Sequence, residues 1–506
     1  MTTRSTRDLQ YAALFDIQRK PGARLRDALY ASLVKTISEG RFQPGQMLPS
    51  SRQLAASLDL SRNTVVATYQ QLVLDGLIVS AARSGYRVNP EIRPVSAAPA
   101  DPLPAALPAA DAAFPGGSGR KFPGSVIDLP RIYKDQRWRK CRYKFIFGQS
   151  DPSTFPAAHW RQIERDINSL DSITNWTREA YDFDEIELIE ELCRNILPQR
   201  GLWPEPDEVM ITAGSQNGIY LVARLILAAG SVAAIEDPGY VDAGSIFRLN
   251  GARIALVPVD GHGLRPACLP ARCDLIYCTP SRQFPTTVEL SLERRRQLAD
   301  YAERCGAYIL EDDYDSELPF DDVQVPSLRA IAGPRAIYLG SFSKTLAPGL
   351  RIGYVVAAPA VIRELRAMRR MVIRNPSINN QAALGRFVRQ GYYAAHLQRM
   401  RRIYRERYEV LSQALGDLAP QLDIAPVTGG TALWATLPPG LEAGRLQRRL
   451  IEKSVFIENG DVFHAVPPLR STVRIGYSSI PVGLIRAGAE LIGEELADQL
   501  RLAPPA

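Results

Sequence analysis

The stretch SFSKTLAPGLRIGY, residues 341–354, carries the densest chemical signal in the sequence. Lys344 lies between small hydroxyl residues directly after a β-rich run, and Arg351 follows seven positions later. A lysine amine in this setting can form a Schiff base with an aldehyde, while hydroxyl and guanidinium groups suit a phosphate. We therefore predict that Lys344 binds a phosphate-bearing aldehyde. The phosphate contacts are predicted to come from Ser341, Ser343 and Arg351.

Three motifs upstream suit the same kind of ligand. In YILEDDYDSEL, Asp312 and Tyr314 have a D-x-Y spacing, which offers a carboxylate to a pyridinium nitrogen and a phenol to the ring oxygen. In TAGSQ, Ser215 and Gln216 lie between a strand and a helix, where backbone N–H groups can hold a phosphate. In EDPGY, Tyr240 offers a flat ring that can stack on the cofactor.

The large part of the chain alternates short β-rich runs with longer stretches of helical periodicity. We predict strands at residues 208–212, 232–236, 275–278, 308–311, 336–340 and 352–357. Strands that alternate with helices in this way are typical of an α/β fold with a mostly parallel sheet.

The first 90 residues differ from the rest in charge. They carry twelve basic and six acidic side chains, a net charge of +6, whereas the net charge of the whole chain is +7. The remaining residues are nearly neutral. A basic head on a neutral body suggests that only the head binds a polyanion.

Within this head, the sequence predicts a helix-turn-helix followed by a two-stranded wing. Ser61 is a good N-cap for a helix that runs to about Asp75, and the shorter helix before it begins near Arg52. Val65, Tyr69 and Leu72 would face inward. The predicted DNA contacts are Arg52, Arg62, Asn63, Thr64 and Thr68 on the helices, with Arg83 and Arg87 on the wing.

A stretch rich in proline and alanine separates the two parts of the chain. Residues 90–124 contain repeated prolines among Ala, Gly, Ser and Asp, and such a composition favours an extended, semi-rigid linker. We therefore predict a DNA-binding domain at residues 1–89, a linker at 90–124 and a large domain at 125–506.

These motifs resemble a known family. PGQMLPSSRQLAASLDLSRNTVVATYQQLVLDGLI resembles the winged helix of GntR-type bacterial regulators, and the large part resembles fold-type I aminotransferases, which use pyridoxal phosphate (PLP). The combination is similar to the MocR-type branch of GntR regulators. The resemblance spans nearly the whole chain, including FGQSDPSTFPAAHW and HLQRMRRIYRERYEVLSQAL. It implies a winged helix-turn-helix plus a PLP-dependent aminotransferase-like domain.

The resemblance also implies a mode of action and a set of site residues. The expected protein is a homodimer, often head-to-tail, in which a small amine or amino acid bound as an external aldimine with PLP alters promoter binding near metabolic genes. Arg474, in VRIGY, would bind a carboxylate of the effector, although a surface strand arginine is an equal alternative. The cofactor residues implied are Lys344, Asp312, Tyr314, Tyr240, Ser215, Ser341 and Arg351.

Three positions depart from the family pattern and bear on the effector. Arg282 and Thr287, in TPSRQFPTT, replace the usual His and Gly, and Asp242 stands where the branch that responds to GABA (γ-aminobutyrate) has an arginine. We therefore predict that Arg282 and Asp242 contribute to the effector pocket and that GABA is disfavoured. An effector with a second cationic group, or an anion clamp using Arg282 or Arg374, is expected instead.

Several functional classes are disfavoured by the sequence. The polar N-terminus is not typical of a secretory signal, and no run is apolar enough for a membrane span, so we expect a cytoplasmic protein with no membrane partner. Six cysteines without a CxxC pair and four scattered histidines predict no metal site. We expect a regulator, activator or repressor, and not an enzyme, with residual transaminase activity possible. The alternatives are an active aminotransferase tethered to DNA and a sensor of PLP itself.

Overall fold

The computed structural model describes residue 15 and residues 25–81, 85–92, 126–177, 179, 182–320 and 325–502. The chain divides into two compact units between residues 121 and 122, and each is described here by itself. The predicted linker, apart from residues 90–92, lies outside the described residues, and so does Arg83 on the predicted wing.

The part of the first unit that the structure describes has three helices followed by a two-stranded antiparallel hairpin. Ser50 and Gln53 form a capping box at the start of the second helix, and the Ser61 hydroxyl accepts the Thr64 N–H at 3.1 Å at the start of the third. Only residues 59–61 separate the second helix from the third, so the two are joined by the tight turn that a helix-turn-helix requires. The elements are α1 (Leu25–Ser38), α2 (Ser51–Leu58), α3 (Arg62–Leu74), β1 (Ile78–Ala81) and β2 (Gly85–Val88).

One residue of α3 that was predicted to face DNA lies on the buried face of the helix. Val65, Tyr69 and Leu72 are fully buried, as predicted, but Thr68 is also 0% exposed, and its hydroxyl donates to the Thr64 carbonyl at 2.8 Å. Thr68 lies one helical turn from both Val65 and Leu72, so it belongs to the buried face. The prediction that Thr68 contacts DNA is therefore wrong.

The second unit is built on an eight-stranded sheet that is mostly parallel. Its strand order is β4-β11-β10-β9-β8-β5-β6-β7, and β10, β9, β8, β5 and β6 run parallel to one another. All six predicted strands are present within this sheet. The strands are β4 (Val209–Thr212), β5 (Val232–Asp237), β6 (Arg253–Asp260), β7 (Gly263–Leu264), β8 (Leu275–Cys278), β9 (Tyr308–Asp313), β10 (Ala336–Ser341) and β11 (Gly353–Val356).

Helices cover this sheet, and smaller sheets complete the unit. A four-stranded antiparallel sheet has the order β12-β13-β16-β15, and β3 pairs in parallel with β14. The further strands are β3 (Tyr143–Lys144), β12 (Asp423–Ile424), β13 (Ala432–Thr436), β14 (Val455–Phe456), β15 (Glu458–Asn459) and β16 (Thr472–Gly476).

The helices of the second unit lie between strands along the chain, singly or in groups of three, and the last follows the final strand. None of the described helices in either unit is long and apolar enough to cross a membrane. The helices are α4 (Ala157–Ile167), α5 (Leu170–Trp176), α6 (Ile186–Glu191), α7 (Ser215–Ile226), α8 (Val241–Leu249), α9 (Leu292–Cys305), α10 (Leu328–Ala332), α11 (Pro359–Ile373), α12 (Ile378–Arg389), α13 (Tyr392–Leu418), α14 (Ala443–Glu452) and α15 (Val482–Leu502).

The predicted site residues follow from this topology. Tyr240, Asp312 and Lys344 lie in or just beyond the carboxyl ends of β5, β9 and β10. Ser215 begins the helix that follows β4. The carboxyl ends of parallel strands meet at one edge of a sheet, which is where ligands bind in α/β folds. Arg474 reaches the site from β16, in the second sheet.

Candidate functional site

Lys344 lies in a pocket that also holds two other cations. Its Nζ is 4.4 Å from the centre of the Phe147 ring, and the Arg474 guanidinium carbon lies 3.4 Å from the same centre. The Nζ of Lys134 is 5.6 Å from that ring. Burial, followed by the positive charges of Lys134 and Arg474, lowers the pKa of Lys344 to about 8. A larger share of neutral, nucleophilic amine is therefore present near neutral pH than for an ordinary lysine.

Of the two neighbouring carboxylates on β9, Asp312 is the one whose charge is not already offset by an arginine. Its Oδ2 accepts the Tyr277 hydroxyl at 2.8 Å, and its buried Oδ1 has no hydrogen-bond partner among the described residues. Asp313 also has an unpartnered Oδ1, but its Oδ2 is ion-paired with Arg200 at 2.8 Å and accepts the Tyr338 hydroxyl at 2.7 Å. Burial raises the pKa of Asp312 to about 6, so a cationic N–H donor at Oδ1 would stabilise its ionised form.

The residues predicted to hold a phosphate come together at the start of α7. A Cβ placed on Gly214 would lie 3.0 Å from Arg351 Nη2, and one placed on Gly353 would lie 3.0 Å from the Ser215 nitrogen. Both glycines therefore leave space where a side chain would otherwise stand. Ser341 is the strand partner of Gly353 and accepts the Ser343 N–H at 3.2 Å.

This cradle presents backbone N–H groups at a helix N-terminus beside a guanidinium. Arg351 donates to the Ala213 carbonyl at 2.9 Å, which fixes its side chain beside the turn. Such an arrangement is suited to a phosphate. Gln216 is exposed in the first turn of α7, next to the cradle.

Aromatic side chains form the body of the pocket. Tyr240 packs edge-on against Phe284, with ring centres 5.5 Å apart, and Tyr314 lies 6.1 Å from the rings of both Phe147 and Phe284. Burial raises the pKa of both the Tyr240 and the Tyr314 hydroxyl, so both remain protonated donors at neutral pH.

Arg474 is a buried cation with free hydrogen-bonding capacity. It is 1% exposed, which excludes the alternative of a surface strand arginine. Its guanidinium lies between Phe147 and the Phe284 ring, whose centre is 4.4 Å away. Nε and Nη1 are buried with no partner among the described residues, and burial lowers the pKa of the group. Unpaired guanidinium N–H groups of this kind favour a planar anion such as a carboxylate.

Arg282 lies in the pocket wall, and most of its side chain is used within the protein. It is 5% exposed, and its Nε donates to the Asp315 carbonyl at 3.2 Å. A Cβ on Gly430 would stand 2.8 Å from its Cδ, so the side chain packs flat against that glycine. Thr287, at the position where the family has Gly, adopts a φ of 66°, a conformation that favours glycine.

Two residues expected in the effector pocket have other partners. Asp242 accepts the Ile132 N–H at 2.8 Å, so one of its carboxylate oxygens has a partner within the protein. Arg374 lies on the surface at the end of α11, paired with Glu179 at 3.4 Å. A role for Arg374 as an anion clamp beside Arg474 is therefore not supported.

Three pocket residues were not found from the sequence. Lys134 bonds the Phe147 carbonyl and pairs with Glu458 at 3.4 Å, while Glu458 also accepts the Phe147 N–H at 3.3 Å. Phe147 and Glu458 are 311 positions apart, and no local pattern connects them. Phe147 belongs to the quoted FGQSDPSTFPAAHW stretch, which was used only as a resemblance.

In the first unit, four of the residues predicted to contact DNA are exposed, and the hydroxyl of a fifth is hydrogen-bonded within the protein. Arg52, Arg62, Asn63 and Arg87 are exposed, which suits contact with a polyanion. Thr64 is half-buried, and its hydroxyl shares a 2.8 Å hydrogen bond with Ser61.

Comparison with known protein families assigns both units. Residues 143–492 match the family "Aminotransferase class I and II", and residues 25–88 match "Bacterial regulatory proteins, gntR family". The chain therefore belongs to the MocR-type branch of the GntR family of transcriptional regulators, in which a winged helix-turn-helix is fused to an aminotransferase-like domain.

Individual relatives match over nearly the full length. The chain is 37% identical to the HTH-type transcriptional regulator TauR of Rhodobacter capsulatus, over 93% of this chain and 96% of that protein. It is 30% identical to the probable rhizopine catabolism regulatory protein MocR of Rhizobium meliloti, over 91% of each chain.

Solved structures match the second unit. The α-aminoadipate aminotransferase LysN of Thermus thermophilus, complexed with N-(5'-phosphopyridoxyl)-L-leucine, superposes with a TM-score of 0.66 at 29% identity. That match covers 73% of this chain and 96% of LysN.

Proposed function

We propose that this regulator uses pyridoxal phosphate to sense a small amine that carries an acidic group. The cofactor supplies an aldehyde that condenses with primary amines. The observation that carries the proposal is the set of unpaired buried groups on a chain that also bears a winged helix. These are the Asp312 Oδ1 for a pyridinium nitrogen and the Arg474 N–H groups for an anion.

The residues present fit the cofactor at each of its functional groups. Lys344 would bind the aldehyde, Tyr314 would donate to the ring oxygen, and Tyr240 would cover a ring face. The cradle of Ser215, Ser341 and Arg351 would hold the phosphate through N–H, hydroxyl and guanidinium donors. The LysN complex with a phosphopyridoxyl amino acid supports the same ligand class in this fold.

The effector is expected to be a primary amine with one acidic group. Arg474 supplies two unpaired buried N–H-bearing nitrogens, whereas Asp242, offered earlier as a partner for a second cation, already accepts the Ile132 N–H. A second cationic group on the effector is therefore no longer favoured by Asp242. Arg282 contributes positive charge to the pocket wall, which also favours an anion.

The alternative, a working aminotransferase, predicts different behaviour with the same compounds. Full-length protein loaded with pyridoxal phosphate is mixed with a panel of amino acids and a keto acid, while its absorbance spectrum, keto-acid consumption and promoter affinity are followed. The proposal expects a spectral change with one class of amine, a matching change in promoter affinity and at most slow turnover. Sustained turnover at ordinary enzyme rates, with promoter affinity indifferent to the amine, would establish the aminotransferase instead.

We also propose that the protein acts on promoter DNA as a homodimer, with each winged helix reading one half-site. Two symmetric heads suit the paired half-sites that helix-turn-helix proteins use. The second unit exposes apolar side chains that a subunit interface would cover, among them Phe183 and Met371, which are 73% and 87% exposed.

Removal of the Arg62 side chain is expected to weaken promoter binding. Arg62 is exposed at the first position of α3, where a recognition helix enters the major groove. Arg62→Ala should cost about 1–3 kcal/mol per half-site if the side chain reads a base. A fluorescence titration at several salt concentrations measures the loss.

Lys35→Ala is the matched control for that experiment. Lys35 is also an exposed cation of the first unit, but it lies in the last turn of α1 and pairs with Glu39 at 3.8 Å. Its removal should leave promoter affinity nearly unchanged. Equal affinity of Arg62→Ala and the unmodified protein at moderate salt would remove Arg62 from the interface.

A further inference from the structure

The segment that leads into β3 carries a strong excess of positive charge. Residues 131–144, RIYKDQRWRKCRYK, contain seven basic side chains and one acidic side chain. Because residues 91–506 are nearly neutral when taken together, their average charge conceals this local cluster. A surface that carries charge of one sign attracts molecules of the opposite sign.

Four of these cations are not neutralised by a neighbouring carboxylate. Three of them are exposed and one is half-buried, and none forms an ion pair with a residue that the structure describes. Arg137, by contrast, is paired with Asp135 at 2.6 Å, and Arg370 of α11 is paired with Asp182 at 3.0 Å. The four unpaired cations form what we call the basic patch: Arg139, Lys140, Arg142 and Lys144.

Trp138 holds two of the patch cations in place. The Arg139 guanidinium carbon and the Lys144 Nζ each lie 5.8 Å from the centre of its ring. The ring itself packs against a small buried cluster of Cys141, Ile146 and Phe456. An aromatic ring attracts a cation without removing its charge. Two positive charges are therefore fixed on the surface, where they remain available to an anion.

The backbone that carries the patch is part of the folded second unit. The Arg142 N–H donates to the Ser454 hydroxyl oxygen at 2.8 Å, and the Tyr143 N–H donates to the Ser454 carbonyl at 3.0 Å. These bonds extend the pairing of β3 with β14. The Arg142 guanidinium carbon also lies 5.5 Å from the centre of the Tyr143 ring. The patch therefore belongs to a strand and to the helical turn Gln136–Lys140 before it.

A cluster of unpaired cations suits a polyanion, which could be a nucleic acid or an acidic protein surface. Nucleic acid is favoured because residues 25–88 of the same chain match the GntR family of DNA-binding regulators. DNA that the winged helix binds is kept near the second unit by the covalent connection, which raises its effective concentration at the patch. Duplex DNA carries one negative charge about every 1.7 Å along its axis, whatever its sequence. Flanking DNA therefore offers the patch several phosphates.

We propose that the basic patch binds the phosphate backbone of DNA that flanks the site read by the winged helix. Its guanidinium and ammonium groups donate charge-assisted hydrogen bonds to phosphate oxygens. Phosphate contacts carry no direct sequence information, so the patch adds affinity and salt dependence but not base specificity. This inference goes beyond the sensing of an amine, and it requires neither the cofactor nor the effector.

The test is the triple variant Arg139→Ala/Lys140→Ala/Arg142→Ala in the full-length protein, which leaves Trp138 and Lys144 in place. Binding is titrated at several salt concentrations with two promoter duplexes. One extends well beyond the recognised site, and the other is trimmed to the shortest length that still shows sequence-specific binding. On the long duplex, the variant should bind more weakly, and the slope of log affinity against log salt should fall by about 2–3, since each phosphate contact contributes about 0.9. On the trimmed duplex, the variant should match the unmodified protein.

The matched control is Arg248→Ala/Arg272→Ala/Arg304→Ala, which removes the same three charges from the second unit. These arginines are exposed, lie on separate elements and have no ion pair within the described part of the chain. The control should keep both the affinity and the salt slope. If the patch variant binds the long duplex as the control does, or loses equal affinity on both duplexes, the assignment of the patch to flanking DNA is overturned.

Acetylation of lysines tests the contact in the unmodified protein. The long promoter duplex should protect Lys140 from an acylating reagent, because phosphates would cover its exposed amine. Lys35, the control residue of the first unit, should react at the same rate with and without DNA. Undiminished acetylation of Lys140 in the saturated complex would contradict the inference.

Discussion

Replacement of Lys344 with alanine should abolish the yellow absorbance of the protein loaded with pyridoxal phosphate. Lys344 is the amine closest to the phosphate cradle in sequence, and its pKa, lowered to about 8, makes it the reactive lysine of the pocket. Borohydride reduction, followed by peptide mass spectrometry, should find the cofactor fixed to Lys344 in the unmodified protein and nowhere in the variant.

The neighbouring lysine supplies the control for that experiment. Lys134 shares the pocket and lies near the same ring, but it is paired with Glu458 and bonded to the Phe147 carbonyl. Lys134→Met should therefore keep the adduct on Lys344. An adduct on Lys134, or one that survives in Lys344→Ala, would show that the wrong amine was assigned.

Replacement of Arg474 with methionine should remove the response to the effector while leaving the cofactor bound. The buried guanidinium would be the partner of the effector's acidic group, and loss of one member of a buried, hydrogen-bonded charge pair costs about 2–5 kcal/mol. The amine concentration for a half-maximal spectral change should therefore rise at least about thirtyfold. The cofactor absorbance should persist, since Lys344, Asp312 and the cradle are intact.

Arg374→Met tests the alternative clamp with the same chemical change. Arg374 is an exposed arginine paired with Glu179, and the structure does not bring it to Arg474. Its removal should leave the amine response unchanged. If Arg374→Met lost the response and Arg474→Met kept it, the acidic group of the effector would bind elsewhere.

The sequence correctly predicted those features that depend on the residues of a single strand or helix. The six predicted strands are present, because β-rich runs separated by helical periodicity suffice to define them. The D-x-Y spacing selected Asp312 over Asp313, and in the structure Asp313 is ion-paired with Arg200, whereas Asp312 accepts only the neutral Tyr277 hydroxyl.

The sequence did not predict on which face of a helix a short polar side chain lies. It also did not predict contacts between segments that are far apart in the chain. Thr68 was assigned to the DNA face, because its hydroxyl suggested an exterior position, yet it bonds the carbonyl of Thr64 and lies in the core. The contact between Asp242 and Ile132, which lies 110 positions earlier in the chain, could not be predicted from either local stretch of sequence. Lys134 belongs to the pocket only because β3 and β14 pair and bring residue 147 beside Glu458.

If binding of an amine at the cofactor alters promoter binding, the two binding equilibria are coupled. The coupling is measured as promoter affinity with and without a saturating amine, and as amine affinity with and without saturating promoter DNA. Linkage requires that both ratios be equal, and a typical coupling corresponds to about 1–3 kcal/mol. We expect two equal ratios that differ clearly from 1. Ratios of 1 in both titrations, with the amine bound at the cofactor, would contradict it.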